Sequence, residues 1–138
     1  MYESLTKYLP ELDRAEGYGG WVVDCESKGT MDDPIQMSYV NYAGVVMGVE
    51  QAIYAFIDEH PEFELTRYGD ILERNGLSWD GRVMSGADVS ELDGQAVMAL
   101  LPGAVRAERF CSGTPLGFFE DGSVKRWLLR LRKIDEMA

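Results

Sequence analysis

The strongest constraint on the fold is an amphipathic run near the end of the chain, between Gly122 and Ile134. Apolar side chains recur there at steps of three and four residues, which places them on one face of an α-helix: Val124, Trp127, Leu128, Leu131 and Ile134. A helix with one apolar face buries that face against other elements. The run therefore predicts a long helix packed on the core, with Ser123 as its N-cap.

The same run carries Arg126, Arg130 and Lys133 on a second face, again at helical spacing. A charged face of this kind is usually only solvated, because Arg and Lys are seldom buried. The other interpretation is a basic docking face for an acidic partner or a phosphate group. The spacing alone leaves both interpretations open.

Two helices are predicted in the first half of the chain. Residues 2–15 repeat apolar side chains at helical spacing, and Pro10 is expected to bend or split that helix. The span from Ala43 to Glu59 has a longer apolar stripe and ends where Pro61 follows. This second span is the predicted central helix.

Helix signals in the second half are shorter. Thr66 is expected to cap a helix over residues 67–75, and residues 76–87 are predicted to form a loop. A capping-box pattern that begins at Asp88 predicts the start of another helix. That helix is expected to break at Pro102, because proline removes a backbone donor and clashes with the preceding turn.

Residues 21–40 are the least regular part of the chain. Short apolar or alternating runs at 21–23 and 35–40 indicate two strands that pair as a small hairpin. The sequence as a whole predicts a mainly α fold, with one globular domain over residues 1–138. That domain is expected to contain five or six helices and a short two-stranded element near residues 21–40.

The balance of charge limits the partners of this chain. Lys and Arg number 13 against 24 Asp and Glu, a formal net charge of −11. Proteins that bind the nucleic-acid backbone neutralise phosphates with excess Lys and Arg, so this mode of binding is not expected. Acidic mimicry of nucleic acid stays open as an alternative. Residues 1–103 hold 6 Lys and Arg against 19 Asp and Glu, whereas residues 104–138 hold 7 against 5.

Neither a secretory leader nor a membrane span is expected. Charged residues punctuate the start of the chain, and no apolar signal-peptide segment follows. The most apolar span, from Val40 to Ile57, contains Asn41 and Glu50 and is barely long enough to cross a bilayer. Because two cysteines are too few for a disulfide framework, the sequence predicts a cytoplasmic protein.

The sequence carries none of the common catalytic or metal-binding motifs. The serine-hydrolase elbow and the phosphate-binding glycine loop are missing, and the single His60 and two cysteines lack zinc spacing. Cys111 is the one candidate nucleophile, since Arg106 and Arg109 precede it and nearby cations favour a thiolate. The other interpretation of Cys111 is a small buried hydrophobic residue. No cofactor and no metal are therefore predicted.

The polarised charge and the missing motifs favour a non-enzymatic binding or regulatory protein. Its groove or interface is predicted to involve residues in the last third of the chain: Arg106, Arg109, Cys111, Glu120 and Asp121. The expected partner is another protein or a second copy of the chain. The alternative is a small enzyme that uses Cys111 or a carboxylate pair in a loop-lined cleft. A pocket beside Tyr68 and Trp79 also stays open.

The end of the chain resembles a family of small bacterial proteins known only as a domain of unknown function. The resemblance rests on Arg-Phe-Cys-Ser-Gly at residues 109–113, on Phe-Glu-Asp-Gly-Ser-Val at residues 119–124, and on Leu128 and Leu131. The family usually has Arg-Phe-x-Glu-Gly at the first of these positions, so Ser112 stands where glutamate is common. A weaker likeness covers Ile35 to Phe56. The resemblance implies a bacterial, cytosolic, mainly helical domain and implies no activity.

Overall fold

The computed structural model describes residues 1–22, 29–32, 39–109 and 113–137, with Arg109 described by its backbone alone. In chain order the elements are α1 Glu3–Thr6, α2 Leu9–Arg14, β1 Gly19–Val22, β2 Tyr39–Tyr42, α3 Gly44–Glu59, α4 Tyr68–Arg74, α5 Gly81–Ser85, α6 Gly94–Arg106, α7 Thr114–Glu120 and α8 Ser123–Met137. Single turns of 3₁₀ helix lie at Pro61–Phe63, Leu65–Arg67, Val89–Glu91 and Ala107–Arg109.

Helix α6 forms the centre of the fold. Every residue from Ala96 to Val105 is buried, and α4, α7 and α8 all pack on this helix. The predicted break at Pro102 is wrong, because the helix runs through this residue to Arg106. Packing on all sides offsets the cost of the proline, since most helical stability in proteins comes from tertiary contacts.

Helix α8 confirms the amphipathic pattern from which it was predicted. Val124, Trp127, Leu128 and Leu131 are buried, and Ile134 packs at the edge of the core. Ser123 is the first helical residue of α8, so the prediction that it is the N-cap is wrong. The Asp121 carboxylate accepts a hydrogen bond from the Ser123 N–H at 2.8 Å and so satisfies a backbone donor at the start of the helix.

The helices of the first half agree closely with their sequence signals. Pro10 splits the first predicted helix into α1 and α2, where it occupies the first turn of α2. The central helix α3 covers Gly44–Glu59, one residue short of its predicted start. Its buried face is formed by Val46, Val49, Ile53 and Phe56.

Several cap and loop predictions in the second half are wrong. Thr66 lies within a 3₁₀ turn, and α4 begins at Tyr68 without a side-chain cap. The predicted loop over residues 76–87 contains α5, whose first turn donates two N–H groups to the Asp80 carboxylate. The capping box at Asp88 heads only a 3₁₀ turn, whereas Asp93 caps α6 by accepting from the Ala96 N–H at 2.9 Å.

Strands β1 and β2 pair antiparallel, with Trp21 opposite Val40 and Val22 opposite Tyr39. The predicted two-stranded element is confirmed, although most of the predicted strand at residues 35–40 lies outside the described residues. The predicted mainly helical single domain is confirmed as well. The split at Pro10 and the short α5 raise the number of helices above the five or six expected.

None of the helices that the structure describes combines the length and the apolar character that a membrane crossing requires.

Candidate functional site

Two of the predicted binding residues, Arg106 and Arg109, lie at the end of α6 and in the turn that follows it, of which residues 107–109 and 113 are described. Glu108 ties this turn to the hairpin. One carboxylate oxygen, Glu108 Oε2, accepts a hydrogen bond from the Tyr42 hydroxyl at 2.6 Å. The same oxygen accepts a second hydrogen bond from the Gly113 N–H at 3.0 Å. Hydrogen bonds to an ionised acceptor are stronger than neutral ones, so this carboxylate fixes β2 and the turn relative to each other.

Gly113 also brings the turn into contact with β1. Its backbone has φ of 86°, in the left-handed region that glycine adopts without steric cost. A Cβ atom at this position would overlap the indole ring of Trp21, so the ring lies directly over the glycine. The hairpin therefore covers one side of the turn through Trp21 and Tyr42.

A second carboxylate, that of Glu50 on α3, lies near the contact between Tyr42 and Glu108. Burial raises the pKa of Glu50 above its ordinary value, and the nearby negative charge of Glu108 raises it further. Burial also raises the pKa of Tyr42, as does its hydrogen bond to Glu108. The tyrosine hydroxyl consequently stays protonated and serves as the donor at physiological pH.

Glu50→Gln is expected to raise the free energy of unfolding at neutral pH. The folded-state pKa of Glu50 lies above its unfolded value, so the stability it contributes is present at acid pH and is lost as pH rises through the folded pKa. Glutamine cannot ionise and avoids that loss. The gain should be about 0.5–1 kcal/mol, since the group is partly solvated.

The gain is measured by urea unfolding of wild type and variant at about pH 7 and at about pH 4, because glutamate titrates between these values. The gain should disappear at the lower pH. Glu73→Gln, an exposed glutamate on α4, serves as the control and should change stability little. A Glu50→Gln variant less stable than wild type at neutral pH would contradict the assignment.

Arg106 projects from the end of α6 towards an aromatic cluster. Its guanidinium lies over the Tyr68 ring, 5.8 Å from the ring centroid, and Tyr68 packs edge to face on Trp79 at 5.3 Å. The indole N–H of Trp79 donates to the Gly103 carbonyl at 2.8 Å. The two rings proposed to line a pocket thus contact each other and pack beside the backbone of α6 at Gly103.

The other predicted site residues are distributed along the same segment. Glu120 is exposed at the end of α7, and Asp121 is engaged at the start of α8. In the described part of the chain, Arg106 forms no ion pair with either carboxylate. The side chain of Arg109 and all of Cys111 lie outside the described residues. The binding role of these five residues therefore stays a prediction.

The sequence did not predict the roles of Glu108 and Tyr42, whose hydrogen bond joins the hairpin to the turn after α6. Glu108 stands five residues before a turn glycine, and this spacing is a weak signal that its carboxylate accepts from the turn backbone. Tyr42 comes from 66 residues earlier in the chain. Contacts across such a separation have no local sequence signal.

A second group of charged side chains lines a groove on α8. Arg126, Arg130 and Lys133 form one wall of this groove, and the turn at residues 87–90 forms the other. Arg126 donates to the Ser85 carbonyl at 2.5 Å, and Arg130 donates to the Leu92 carbonyl through Nε at 3.1 Å and Nη2 at 2.9 Å. The basic face is therefore more than a solvated surface, because two of its arginines hold residues 85–92 against α8.

These features define a small, mainly helical domain in which the hairpin packs against the turn after α6. Residues 2–137 match the model of a family of unknown function (DUF6508), and the chain belongs to that family. The match confirms the resemblance to a domain of unknown function, whereas the motif at residues 109–113 and a bacterial source stay predictions. No curated protein and no solved structure matches the chain.

Proposed function

We propose that this chain is a non-enzymatic binding domain that recognises a partner protein through the outer face of its hairpin. The observation that carries the proposal is the exposure of two apolar side chains that stand opposite each other across the strands. Val22 is 39% exposed and Tyr39 is 55% exposed. Opposite residues in an antiparallel pair project from the same face, so the two side chains form one continuous surface.

This surface has the composition of a protein interface. Val22 and Tyr39 thus place an aliphatic and an aromatic side chain side by side, whereas Trp21, which is opposite the buried Val40, projects from the other face of the hairpin over Gly113. Contiguous exposed apolar patches on small proteins commonly mark interaction sites. Tyrosine is also among the residues that most often dominate binding energy at interfaces.

The hairpin is fixed in place before any partner binds. Val40 is buried against the body, and the Tyr42 hydroxyl is held by Glu108. At the end of β2, the Ala43 N–H donates to the Tyr18 carbonyl at 2.8 Å. A surface that is already ordered loses little conformational entropy on binding, which favours affinity.

Two charged residues predicted from the sequence are included in the proposal as a rim of the interface. Arg106 ends α6 and Arg109 lies in the 3₁₀ turn that follows, the turn in which Glu108 accepts a hydrogen bond from Tyr42. Charged rims mainly steer association and select partners. A cytoplasmic setting and a regulatory use of this binding, both expected from the sequence, are part of the proposal.

Photocrosslinking from the hairpin tests the proposal. A benzophenone amino acid is placed at Tyr39 and, as a matched control, at Tyr54, a tyrosine on α3 that is 41% exposed. We expect position 39 to crosslink one partner protein, and an excess of unlabelled chain to compete for that crosslink. Position 54 should not form it.

The competition is repeated with a chain carrying Val22→Ser and Tyr39→Ser. Because both residues are at the surface, the free energy of unfolding of this variant should lie within about 1 kcal/mol of wild type, and yet the variant should fail to compete. Equal crosslinking from positions 39 and 54 would contradict the proposal. A crosslink only between two copies would show self-association and would overturn the assignment to a different protein.

A further inference from the structure

The groove on α8 concentrates positive charge in a chain that is strongly acidic. Its volume is about 290 Å³, and it is lined by Asp88, Val89, Ser90, Arg126, Arg130 and Lys133. The three cations recur along one face of α8, while the whole chain carries a formal charge of −11. The groove is therefore basic although the chain as a whole is acidic.

The positive charge of the groove is not neutralised by ion pairs. Within the described ranges, Arg126, Arg130 and Lys133 have no carboxylate oxygen within 4.0 Å, whereas Lys125 on the same helix pairs with Asp13. Among the described residues, Asp88 is the one acidic residue that lines the groove. Hydrogen bonds from the Ser90 hydroxyl and backbone N–H hold the pKa of Asp88 below its ordinary value, so this carboxylate is ionised. Three cations against one carboxylate leave a net attraction for an anion.

The two arginines are oriented by neutral partners. Carbonyl oxygens of Ser85 and Leu92 accept from Arg126 and Arg130, which fixes the guanidinium groups without cancelling their charge. Arg130 uses two of the five N–H donors that a guanidinium carries, and the others have no acceptor among the described residues. An ordered guanidinium with free donors is suited to bind an oxyanion.

We propose that this groove binds a small phosphate monoester. Arginine matches the geometry of phosphate oxygens, and Lys133 adds a point charge at the end of the site. Val89 and Leu129 line the same groove and offer apolar contact to the organic part of the ligand. The volume lies at the lower limit for small-molecule sites, and the acidic surroundings repel an extended polyanion. The site uses different residues from the hairpin surface and is independent of it.

Substitution of Lys133 tests the proposed phosphate site. This lysine has no hydrogen-bond or ion-pair partner in the described part of the chain, so Lys133→Gln should leave the fold intact. Arg132→Gln removes the same charge from an exposed position on α8 that does not line the groove. Amide chemical shifts are followed by NMR during titration with phenyl phosphate and with inorganic phosphate at low ionic strength.

We expect saturable shifts at residues 87–90 and 126–133, with phenyl phosphate binding more tightly than inorganic phosphate. Lys133→Gln should weaken binding of phenyl phosphate by about five- to tenfold, and Arg132→Gln by less than about twofold. Equal weakening by both variants would show unspecific attraction and would overturn the site. Tighter binding of a single-stranded oligonucleotide at the same residues would overturn the assignment to a small ligand. Absence of saturable shifts with phenyl phosphate would also overturn it.

Discussion

Trp127→Ala is expected to lower the free energy of unfolding by about 3–5 kcal/mol. Trp127 is fully buried on α8, and its ring packs on Phe118 with 5.5 Å between the ring centroids. Alanine would leave a cavity in the core, where α8 packs on α6. Both the lost burial and the cavity contribute to the cost.

Urea unfolding followed by circular dichroism measures the loss. Trp21→Ala is the matched control, because Trp21 is half exposed and its truncation should lower the free energy of unfolding clearly less than that of Trp127. Trp127→Phe should cost less than Trp127→Ala, because phenylalanine retains most of the ring. Phenylalanine also removes a buried indole N–H that has no acceptor among the described residues. A Trp127→Ala variant as stable as Trp21→Ala would contradict this view of the core.

Glu108→Ala is expected to lower the free energy of unfolding by about 2 kcal/mol. The substitution removes the shared acceptor of the Tyr42 hydroxyl and the Gly113 N–H. Relief of the repulsion between Glu108 and Glu50 offsets part of that loss. The turn between α6 and α7 should loosen together with the end of β2.

Hydrogen exchange at the Gly113 amide, combined with urea unfolding, reports both effects. Exchange should be faster in Glu108→Ala than in wild type, because the amide loses its acceptor. Tyr42→Phe serves as the comparison, since it removes one of the two hydrogen bonds and leaves the bond from Gly113 in place. Unchanged exchange at Gly113 in Glu108→Ala would contradict the proposed role of this carboxylate.

Amphipathic helices were predictable from the sequence because their signal is local. Helices α3 and α8 each bury one face, and their apolar side chains repeat at helical spacing. Helix α6 is buried on all sides, so its sequence has no polar face to mark it, and Pro102 predicts a break that the packing around the helix prevents. Helix α5 is too short to show a period, and only the Asp80 cap marks its start.

The candidate sites were predictable only in part, because side chains from distant segments complete them. Charge and spacing identified Arg126, Arg130 and Lys133 as a basic face. No local pattern showed that the turn at residues 87–90 lies opposite this face and makes it a groove. The contact between Tyr42 and Glu108 likewise depends on the tertiary fold, which brings β2 against the turn after α6.

The most direct test of the proposed binding function is the affinity of the crosslinked partner for wild type, Tyr39→Ala and Tyr54→Ala. Calorimetric titration with that purified partner gives each dissociation constant. If the hairpin face is the interface, Tyr39→Ala should weaken binding by about tenfold or more, as aromatic residues at interface centres do. Tyr54→Ala should bind as wild type does. Equal affinities for wild type and Tyr39→Ala would contradict the proposal that this chain binds its partner through the hairpin.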